Sequence, residues 1–440
     1  MKTVVFLIWS PVHSIKRYLL VADQFSKLKI KTIFLDFEGK LENVIDEYIS
    51  DLNINHKPHY ESYSYDNKTN KSYNTLSKKI KTYISKIIVR LFNPKNKEFF
   101  NSKKKYSYPG ELGKTLTDLK IDNSLLIKKN INKLQKNFNQ KVNHATKFIK
   151  DYKPDCVFYD LEFVDQIMPF LHVANSNNIK IISMQHAIGN TYSYSELPLL
   201  ADYYIAYSRF NSDVLKHMGV KEKNILLTGN PDMDIIHQLS TGEIKEELSK
   251  FYKIDFSKKI IVIPLKPNSY NDQNKILVNN LVKFFGKNED YCILVKPHPA
   301  DLINTNNSNN NVDFGSNNFH LIDSSYPIIN LFKICTYSIF YFSSCIVESV
   351  LINIKAIVIN DPFVLKDNGV KWPDWNLYKV FHSINIELLP SVLDSINTNQ
   401  YKYEKFTNNE HRELFIKDFS SKYDSNSSLR IAKNVERILS

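Results

Sequence analysis

The sequence predicts an α/β protein with two domains, each built around a parallel sheet covered by helices. Apolar runs of strand length alternate with amphipathic stretches of helix length in two separate parts of the 440-residue chain. Hydrophobic residues make up 43% of the sequence and charged residues 24%, as is usual for globular proteins with sizeable cores. The sequence contains only 10 Gly and no G-x-G-x-x-G or Walker-type loop, which argues against a dehydrogenase or an ATPase.

The first domain is predicted from a β-α-β start that resumes later in the chain. Residues 2–9 predict a strand, 14–29 a helix and 31–37 a second strand, and this order implies parallel pairing. Further strands are predicted in "DCVFYD", "KIISMQH", "ADYYIAYS" and "NILLTGNP". We therefore predict a Rossmann-like domain over residues 1–232, with residues 40–150 as a helical, basic insertion.

The second domain is predicted from a second run of the same alternation. Strands are expected in "KKIIVIPL", "YCILVKPHP", "FHLID", "YSIFYFSS" and "KAIVIND", with helices near 272–286, 325–333 and 344–352. We predict a second Rossmann-like domain over residues 233–405 and a C-terminal helix over 406–440. The two sheets should face each other across a cleft.

The basic residues are concentrated in one segment. Residues 68–105 hold twelve Lys or Arg and one acid, which accounts for +11 of the formal net charge of +12. Because the remainder is nearly neutral, we expect one local basic surface and no nucleic-acid partner.

Residues 78–92 place apolar side chains on one helical face, with lysines beside it or away from it. This helix either lies in an anionic membrane surface or packs on the first domain with solvated lysines. Neutralising Lys78, Lys79 and Lys81 should weaken binding to anionic vesicles only in the first case.

The start of the chain and its cysteines favour a cytoplasmic protein, associated with the inner face of the cell membrane if residues 78–92 bind lipid. The apolar run in "MKTVVFLIWSP" is short and lacks a small-residue cleavage site, so a buried strand fits better than a signal peptide. The 4 Cys show no metal-ligand spacing and are expected to be reduced and buried.

The stretch "ILVKPHPAD" predicts a ligand site. Pro297 and Pro299 cannot donate ladder hydrogen bonds, so the strand should end near Lys296 and leave that side chain and His298 on a stiff turn. Ligands of open α/β sheets bind outside the carboxyl ends of the strands. This turn therefore predicts one cation and one imidazole at a binding site.

A second stretch, "YFSSCIVESVL", predicts an anion site at the start of a helix. Ser343 or Ser344 lies where an N-cap is expected, and helix N-termini bind phosphates. Glu348, one turn later, could accept hydrogen bonds from ribose hydroxyls. The alternative is a capping box without a ligand. Together with Lys296 and His298, the nucleotide interpretation is favoured.

These residues carry a resemblance to a known family. "VKPHP", "LFKICTYSIFYFSSCIVESVLINIKAIVIN", "SMQHAIGN" and "ADYYIAYSRFNSDVLKHMGVKEKNILLTGNPDMD" resemble bacterial GT-B glycosyltransferases of capsule or O-antigen synthesis. Polysialyltransferase-like and CDP-glycerol glycerophosphotransferase-like families share this layout, and the resemblance covers about residues 180–360. Ala187 replaces a usual Gly, and an acid-acid-Gly motif typical of sialyltransferases is missing, which argues against a sialic acid donor.

The resemblance implies a GT-B fold, a metal-independent transferase and a nucleotide-sugar as co-substrate, without a separate cofactor. The donor phosphates would lie on His298, Ser343 and Ser344, assisted by Lys296, with Glu348 on the ribose. The acceptor would be a saccharide or a lipid-linked oligosaccharide.

An inverting transferase also needs a general base from the first domain. His186 in "MQHAIG" is the first candidate, His13 in "WSPVHS" the second, and Asp160, with Glu162, the third. Each of them has the alternative of being a solvated or hydrogen-bonded loop residue. The "DMD" stretch over 232–234 follows Gly-Asn-Pro, so we predict turn and helix capping there and no required metal.

Four functions fit these observations. The first is transfer of a sugar to a growing surface polysaccharide. The second is a glycerophosphotransferase with a CDP donor, and the third is a non-hydrolysing nucleotide-sugar epimerase. The fourth, a non-catalytic assembly protein, is disfavoured because the full set of candidate site residues is present.

Overall fold

The computed structural model describes most of the chain. Outside the described residues lie 63–123, 161–165, 186–199, 237–239, 268–269, 302–315, 361–374, 421–423 and the single positions 10, 38, 40, 53, 55, 218 and 300. The predicted basic helix over 78–92 is therefore outside the described part of the chain.

Two parallel sheets form the framework of the protein. The strands of the first sheet are β1 (Thr3–Ile8), β2 (Lys31–Asp36), β3 (His59–Ser62), β4 (Cys156–Tyr159), β5 (Lys180–Met184), β6 (Tyr203–Ala206) and β7 (Ile225–Leu227). Those of the second are β8 (Lys259–Pro264), β9 (Tyr291–Lys296), β10 (Phe319–Leu321), β11 (Tyr337–Tyr341), β12 (Ala356–Ile359) and β13 (His382–Ile384).

The helices that connect and cover these strands fall into three groups. The first domain holds α1 (Pro11–Lys27), α2 (Ile45–Asp51), α3 (Ser124–Tyr152), α4 (Ile167–Ser176) and α5 (Arg209–His217). The second holds α6 (Thr241–Tyr252), α7 (Asn271–Phe285), α8 (Ile328–Ile334), α9 (Cys345–Ile352) and α10 (Leu389–Asn397). The chain ends with α11 (Asn409–Phe419) and α12 (Ser427–Leu439).

Both sheets have the same strand order. The first runs β3-β2-β1-β4-β5-β6-β7 and the second β10-β9-β8-β11-β12-β13, and every pairing is parallel. This is the doubly wound order, in which the direction of winding reverses beside the first strand of each sheet. The predicted pair of Rossmann-like parallel sheets is confirmed.

Alternate residues of the strands enter different cores, because successive side chains point to opposite faces. In β1, Val4 and Phe6 pack in the same cluster as Tyr18 of α1, whereas Val5 and Leu7 pack in the cluster that contains Phe148 of α3. These runs are apolar on both faces since helices cover the sheet on both sides.

Two predicted boundaries need correction, and two elements were not predicted. The insertion expected over 40–150 starts too early, because β3 pairs with β2 from His59 to Ser62 and so belongs to the first sheet. The C-terminal helix is two helices, α11 and α12, and α12 packs against α1 of the first domain. The strand β13 and the helix α10 were not predicted, since three residues of mixed polarity give no clear strand pattern.

Candidate functional site

The reversal point of the second sheet opens into a cavity. It lies outside the carboxyl ends of β8 and β11, where ligands of such sheets bind. The cavity has a volume of about 290 Å³. Its polar and charged lining residues are Lys16, Tyr48, Asp232, Lys296, His298, Ser325, Tyr326, Ser344 and Glu348.

Lys296 is the last residue of β9, and its strand ends there as the following proline predicts. Its side chain is buried, and Nζ donates to the carbonyl oxygens of Ser324 (2.9 Å) and Pro297 (3.3 Å). Burial is the main cause that lowers the pKa of Lys296 to about 8; the charges of Cys345 and Asp323 oppose the shift, and that of Lys16 adds to it. An anion beside Nζ would favour the protonated form.

His298 lies on the turn that follows and contributes to the same cavity wall. Burial lowers the pKa of its imidazole, the charge of Lys296 acts in the same direction, and Asp301 opposes them. Its backbone carbonyl accepts a 2.9 Å hydrogen bond from the Asp301 amide, which closes the turn. The neutral ring is therefore favoured, and a neighbouring phosphate would favour protonation.

The start of α9 faces the cavity without a capping side chain. Ser344 is the N-cap residue and lines the cavity, and its side chain makes no capping hydrogen bond to the described residues. The capping box considered as an alternative is therefore absent from this helix start. Ser343 precedes it, and Cys345 follows it and also lines the cavity.

Glu348 lies one turn inside α9. Its Oε2 atom is buried and has no hydrogen-bond partner among the described residues. Burial raises the pKa of this carboxyl to about 7, with a smaller contribution from the charge of Asp232, while its own backbone amide opposes the shift. A buried acceptor of this kind is costly unless a donor reaches it, so the position suits a ligand hydroxyl.

The first domain supplies a charged wall that the sequence patterns did not identify. Lys16 and Tyr48 line the cavity, as does Asp232 from the turn after β7. Arg17 Nη2 forms a 3.0 Å ion pair with Asp232 Oδ2. A single cation in a helix belongs to no sequence motif. Only its ion pair with Asp232 in the folded protein distinguishes Arg17 from a solvated residue.

Of the predicted bases, the structure describes the side chain of Asp160 alone. Asp160 is buried directly after β4 and is not among the residues that line the cavity. The pKa of the nearby Tyr18 is raised first by burial and then by the Asp160 charge. The role of Asp160 as a base stays a prediction. The His13 side chain, His186 and Glu162 lie outside the described residues.

The "DMD" stretch contributes to a turn and a helix cap. The Asn230 side chain accepts from the Asp232 amide at 3.1 Å. Asp234 accepts from the amides of Ser427 (2.9 Å) and Ser428 (2.7 Å) and so caps α12. In the described part of the chain no three His, Cys, Asp or Glu side chains are grouped to hold a metal ion.

Among the described helices, which do not include residues 63–123, none is both long enough and apolar enough to cross a membrane.

A family match covers part of the chain. Residues 165–347 match the model of the family described as CDP-Glycerol:Poly(glycerophosphate) glycerophosphotransferase. This span is less than half of the chain, but it contains Lys296, His298, Ser343 and Ser344. No curated protein sequence is significantly similar to the chain.

Solved structures resemble this chain over its whole length at low sequence identity. UDP-GlcNAc 2-epimerase from Neisseria meningitidis, bound to UDP-GlcNAc, has a TM-score of 0.59 at 14% identity, covering 99% of this chain and 100% of its own. A glycosyltransferase from Rickettsia africae has a TM-score of 0.54 at 14% identity, covering 100% and 98%.

A third similar structure is the wall teichoic acid polymerase TagF soaked with CDPG, with a TM-score of 0.54 at 15% identity, covering 100% of this chain and 88% of its own. At these identities the likeness concerns the fold. Together with the two parallel sheets, it confirms that the chain has the GT-B fold, with two Rossmann-like domains.

Proposed function

We propose that this chain is a nucleotide-activated transferase that extends a cell-surface polymer. The observation that carries the proposal is the cavity at the reversal point of the second sheet. It combines the cations Lys16 and Lys296, the imidazole of His298 and the helix start at Ser344 with Glu348 Oε2, which has no hydrogen-bond partner among the described residues. Cations and helix N-termini suit phosphates, and carboxylates suit hydroxyls.

The cavity would act mainly on the leaving group. As an acceptor oxygen attacks the donor, the bond to the departing nucleotide breaks and negative charge grows on its phosphate. Lys296, His298 and the α9 N-terminus are fixed donors around that position, and preorganised donors of this kind are a major source of catalysis. The acceptor proton would pass to a base from the first domain, for which His186 and His13 are proposed.

Two versions of the reaction differ in the atom attacked. In glycosyl transfer the acceptor oxygen attacks the anomeric carbon and the nucleotide leaves with its phosphate. In glycerophosphate transfer the acceptor oxygen attacks the phosphorus of the glycerol phosphate unit, and CMP leaves. The resemblance of residues 180–360 to surface-polysaccharide enzymes supports the first version, and the family match over 165–347 favours the second.

A thermal-shift screen of the purified chain against CMP, CDP, UDP, GDP and dTDP tests the proposal. A ligand at about 100 times its Kd stabilises a protein by about 2.7 kcal/mol. A shift with CMP or CDP, followed by polymer extension from CDP-glycerol, would support glycerophosphate transfer. A shift with UDP or GDP and sugar incorporation would support glycosyl transfer.

An activity assay and the screen together separate the remaining functions. Interconversion of a UDP-sugar without an acceptor, measured in the assay, would indicate an epimerase instead. Absence of any shift would contradict the proposal that the cavity binds nucleotides.

A further inference from the structure

Two carboxylates from different parts of the fold meet at the cavity. Asp232 lies in the turn after β7, the last strand of the first sheet, and Glu348 lies in α9 of the second domain. Both line the cavity, and the charge of Asp232 contributes to the raised pKa of Glu348. The charge of Lys16 likewise contributes to the lowered pKa of Lys296. The wall of the cavity therefore contains two acids and two cations.

Asp232 is held in place by a residue that is itself fixed. Arg17 is only 8% exposed, and its Nη2 lies 3.0 Å from Asp232 Oδ2. Its Nη1 donates to the Gln185 carbonyl oxygen at 3.0 Å and to the Tyr207 hydroxyl at 3.4 Å. Because these contacts lock the guanidinium to the first domain, the Asp232 carboxylate cannot rotate away without leaving a buried cation less well paired.

The Asp232 side chain nevertheless remains 30% exposed on the cavity side of this ion pair. Opposite it, Glu348 Oε2 is a buried acceptor without a partner among the described residues. Carboxylates accept hydrogen bonds and alcohols donate them, so two neighbouring carboxylates match a group with adjacent hydroxyls.

We propose that Asp232 is a ligand-binding residue of this site and that Arg17 is its positioning residue. Asp232 and Glu348 together recognise neighbouring hydroxyls of the donor, while the cations hold its phosphates. This inference rests on the proposed nucleotide function. The hydroxyls belong either to the ribose or to the transferred glycerol or sugar unit, and because both are polyols they share one recognition chemistry.

Calorimetric titration of purified variants tests the inference. The probes are CDP, its 2′-deoxy analogue and CDP-glycerol, with UDP, 2′-deoxy-UDP and UDP-GlcNAc in parallel. Asp232→Ala should weaken binding of the hydroxyl-bearing probe by about 10- to 100-fold, the effect of losing a hydrogen bond to a charged group.

Asp234→Ala is the matched control. It removes the same charge from the same turn, but this carboxylate caps α12 at Ser427 and Ser428. It should lower thermal stability and leave nucleotide affinity unchanged.

The probes identify the source of the hydroxyls. If the acids bind the ribose, Asp232→Ala removes the preference of the wild-type protein for CDP over its 2′-deoxy analogue. If they bind the transferred unit, CDP affinity is unchanged and only CDP-glycerol or UDP-GlcNAc is weakened. Arg17→Lys keeps the positive charge but loses the planar guanidinium group that holds Asp232 in place. It should therefore cause the same loss of selectivity as Asp232→Ala. A change that only destabilised the fold would leave that selectivity intact.

Two results would overturn the inference. If wild-type protein binds these nucleotides and Asp232→Ala binds all of them equally well, Asp232 is not a ligand-binding residue, and the proposed function stands. If the wild-type protein binds none of the probes and shows no thermal shift with GDP or dTDP either, the proposed function and the inference both fail. Should Arg17→Lys not fold, the comparison of Asp232→Ala with Asp234→Ala decides alone.

Discussion

The two sheets share a strand order, but their reversal points differ in what occupies them. Beside β1 and β4, the described residues include a buried polar cluster of Arg17, Tyr18, Asp160 and Tyr207. Beside β8 and β11, the second sheet opens into the cavity that Lys296, His298 and Glu348 line. Among the described residues, the same topology therefore places a buried charged cluster at one reversal point and a cavity at the other.

The difference lies in how charge is balanced. At the first reversal point, Arg17 pairs with Asp232 and lies within the field of Asp160, so the buried cation is compensated inside the protein. At the second, the pKa of Lys296 is lowered to about 8 and that of Glu348 is raised to about 7, because burial disfavours both charges. A ligand of opposite charge or polarity would stabilise the charged forms of such buried groups. Shifted pKa values of this kind are typical of binding sites.

The largest expected effect is on catalysis at the cavity of the second sheet. His298→Ala should lower kcat/KM for polymer extension by about 100- to 1,000-fold, the usual effect of losing one preorganised donor to a developing charge. His320→Ala is the control, because His320 is also partly buried with a lowered pKa but is not part of the cavity wall. Near-normal turnover of His298→Ala in an activity assay would remove His298 from the donor site.

The next effect contrasts two buried cations, one from each reversal point. Arg17→Met should lower the free energy of unfolding by about 3 kcal/mol, since it leaves Asp160 and Asp232 without their cation. Lys296→Met, at a residue of similar burial, should change it by less than about 1 kcal/mol, since losing two hydrogen bonds is offset by removing a desolvated charge. Urea unfolding of both variants at pH 7 measures the contrast, and equal losses would contradict it.

The smallest effect is a pH dependence that arises from Glu348. Its pKa is raised from an ordinary value near 4.5 to about 7, so between these pH values the unfolded chain has released a proton that the folded protein still holds. Stability from this group is therefore complete below pH 4.5 and is lost as pH rises to 7. Glu348→Gln should thus be more stable than wild type at pH 8 by about 2 kcal/mol, with no gain at pH 4.5.

The comparison with Glu348→Gln is needed because other groups titrate in the same window. Burial lowers the pKa of His298 and His382, and lowered histidine pKa values make stability rise with pH. The difference between wild type and variant isolates the contribution of Glu348, whose carboxyl is also affected by the charge of Asp232. A difference in unfolding free energy that does not change with pH would show that Glu348 is not desolvated.

Much of the fold was predictable because the strands are buried on both faces. Such strands appear as short apolar runs, and the turns after them interrupt the runs with Pro, His and Ser, as after β9 and β11. The elements that were missed or misplaced give weaker patterns. The strand β3 begins with His59 and Tyr60, and its place beside β2 depends on pairing across the sheet rather than on its own residues.

The donor half of the site was predictable for the same reason. Lys296, His298, Ser344 and Glu348 follow strand ends of one sheet, and parallel strands bring their carboxyl ends to one edge. The first-domain half was not predictable, because Lys16, Arg17 and Asp232 come from one helix and one turn with no shared motif.

The alternation of strands and helices can be derived from the amino-acid sequence alone. The same holds for the edge of the second sheet at which the candidate site residues lie. These are local properties, since apolar periodicity and turn residues act over a few positions. The burial of Arg17 with its partners at the first reversal point, and the cavity at the second, follow only from the folded arrangement of the described residues. Burial and ion pairing depend on distances between residues far apart in the chain, such as the 3.0 Å between Arg17 and Asp232, and no local pattern encodes them.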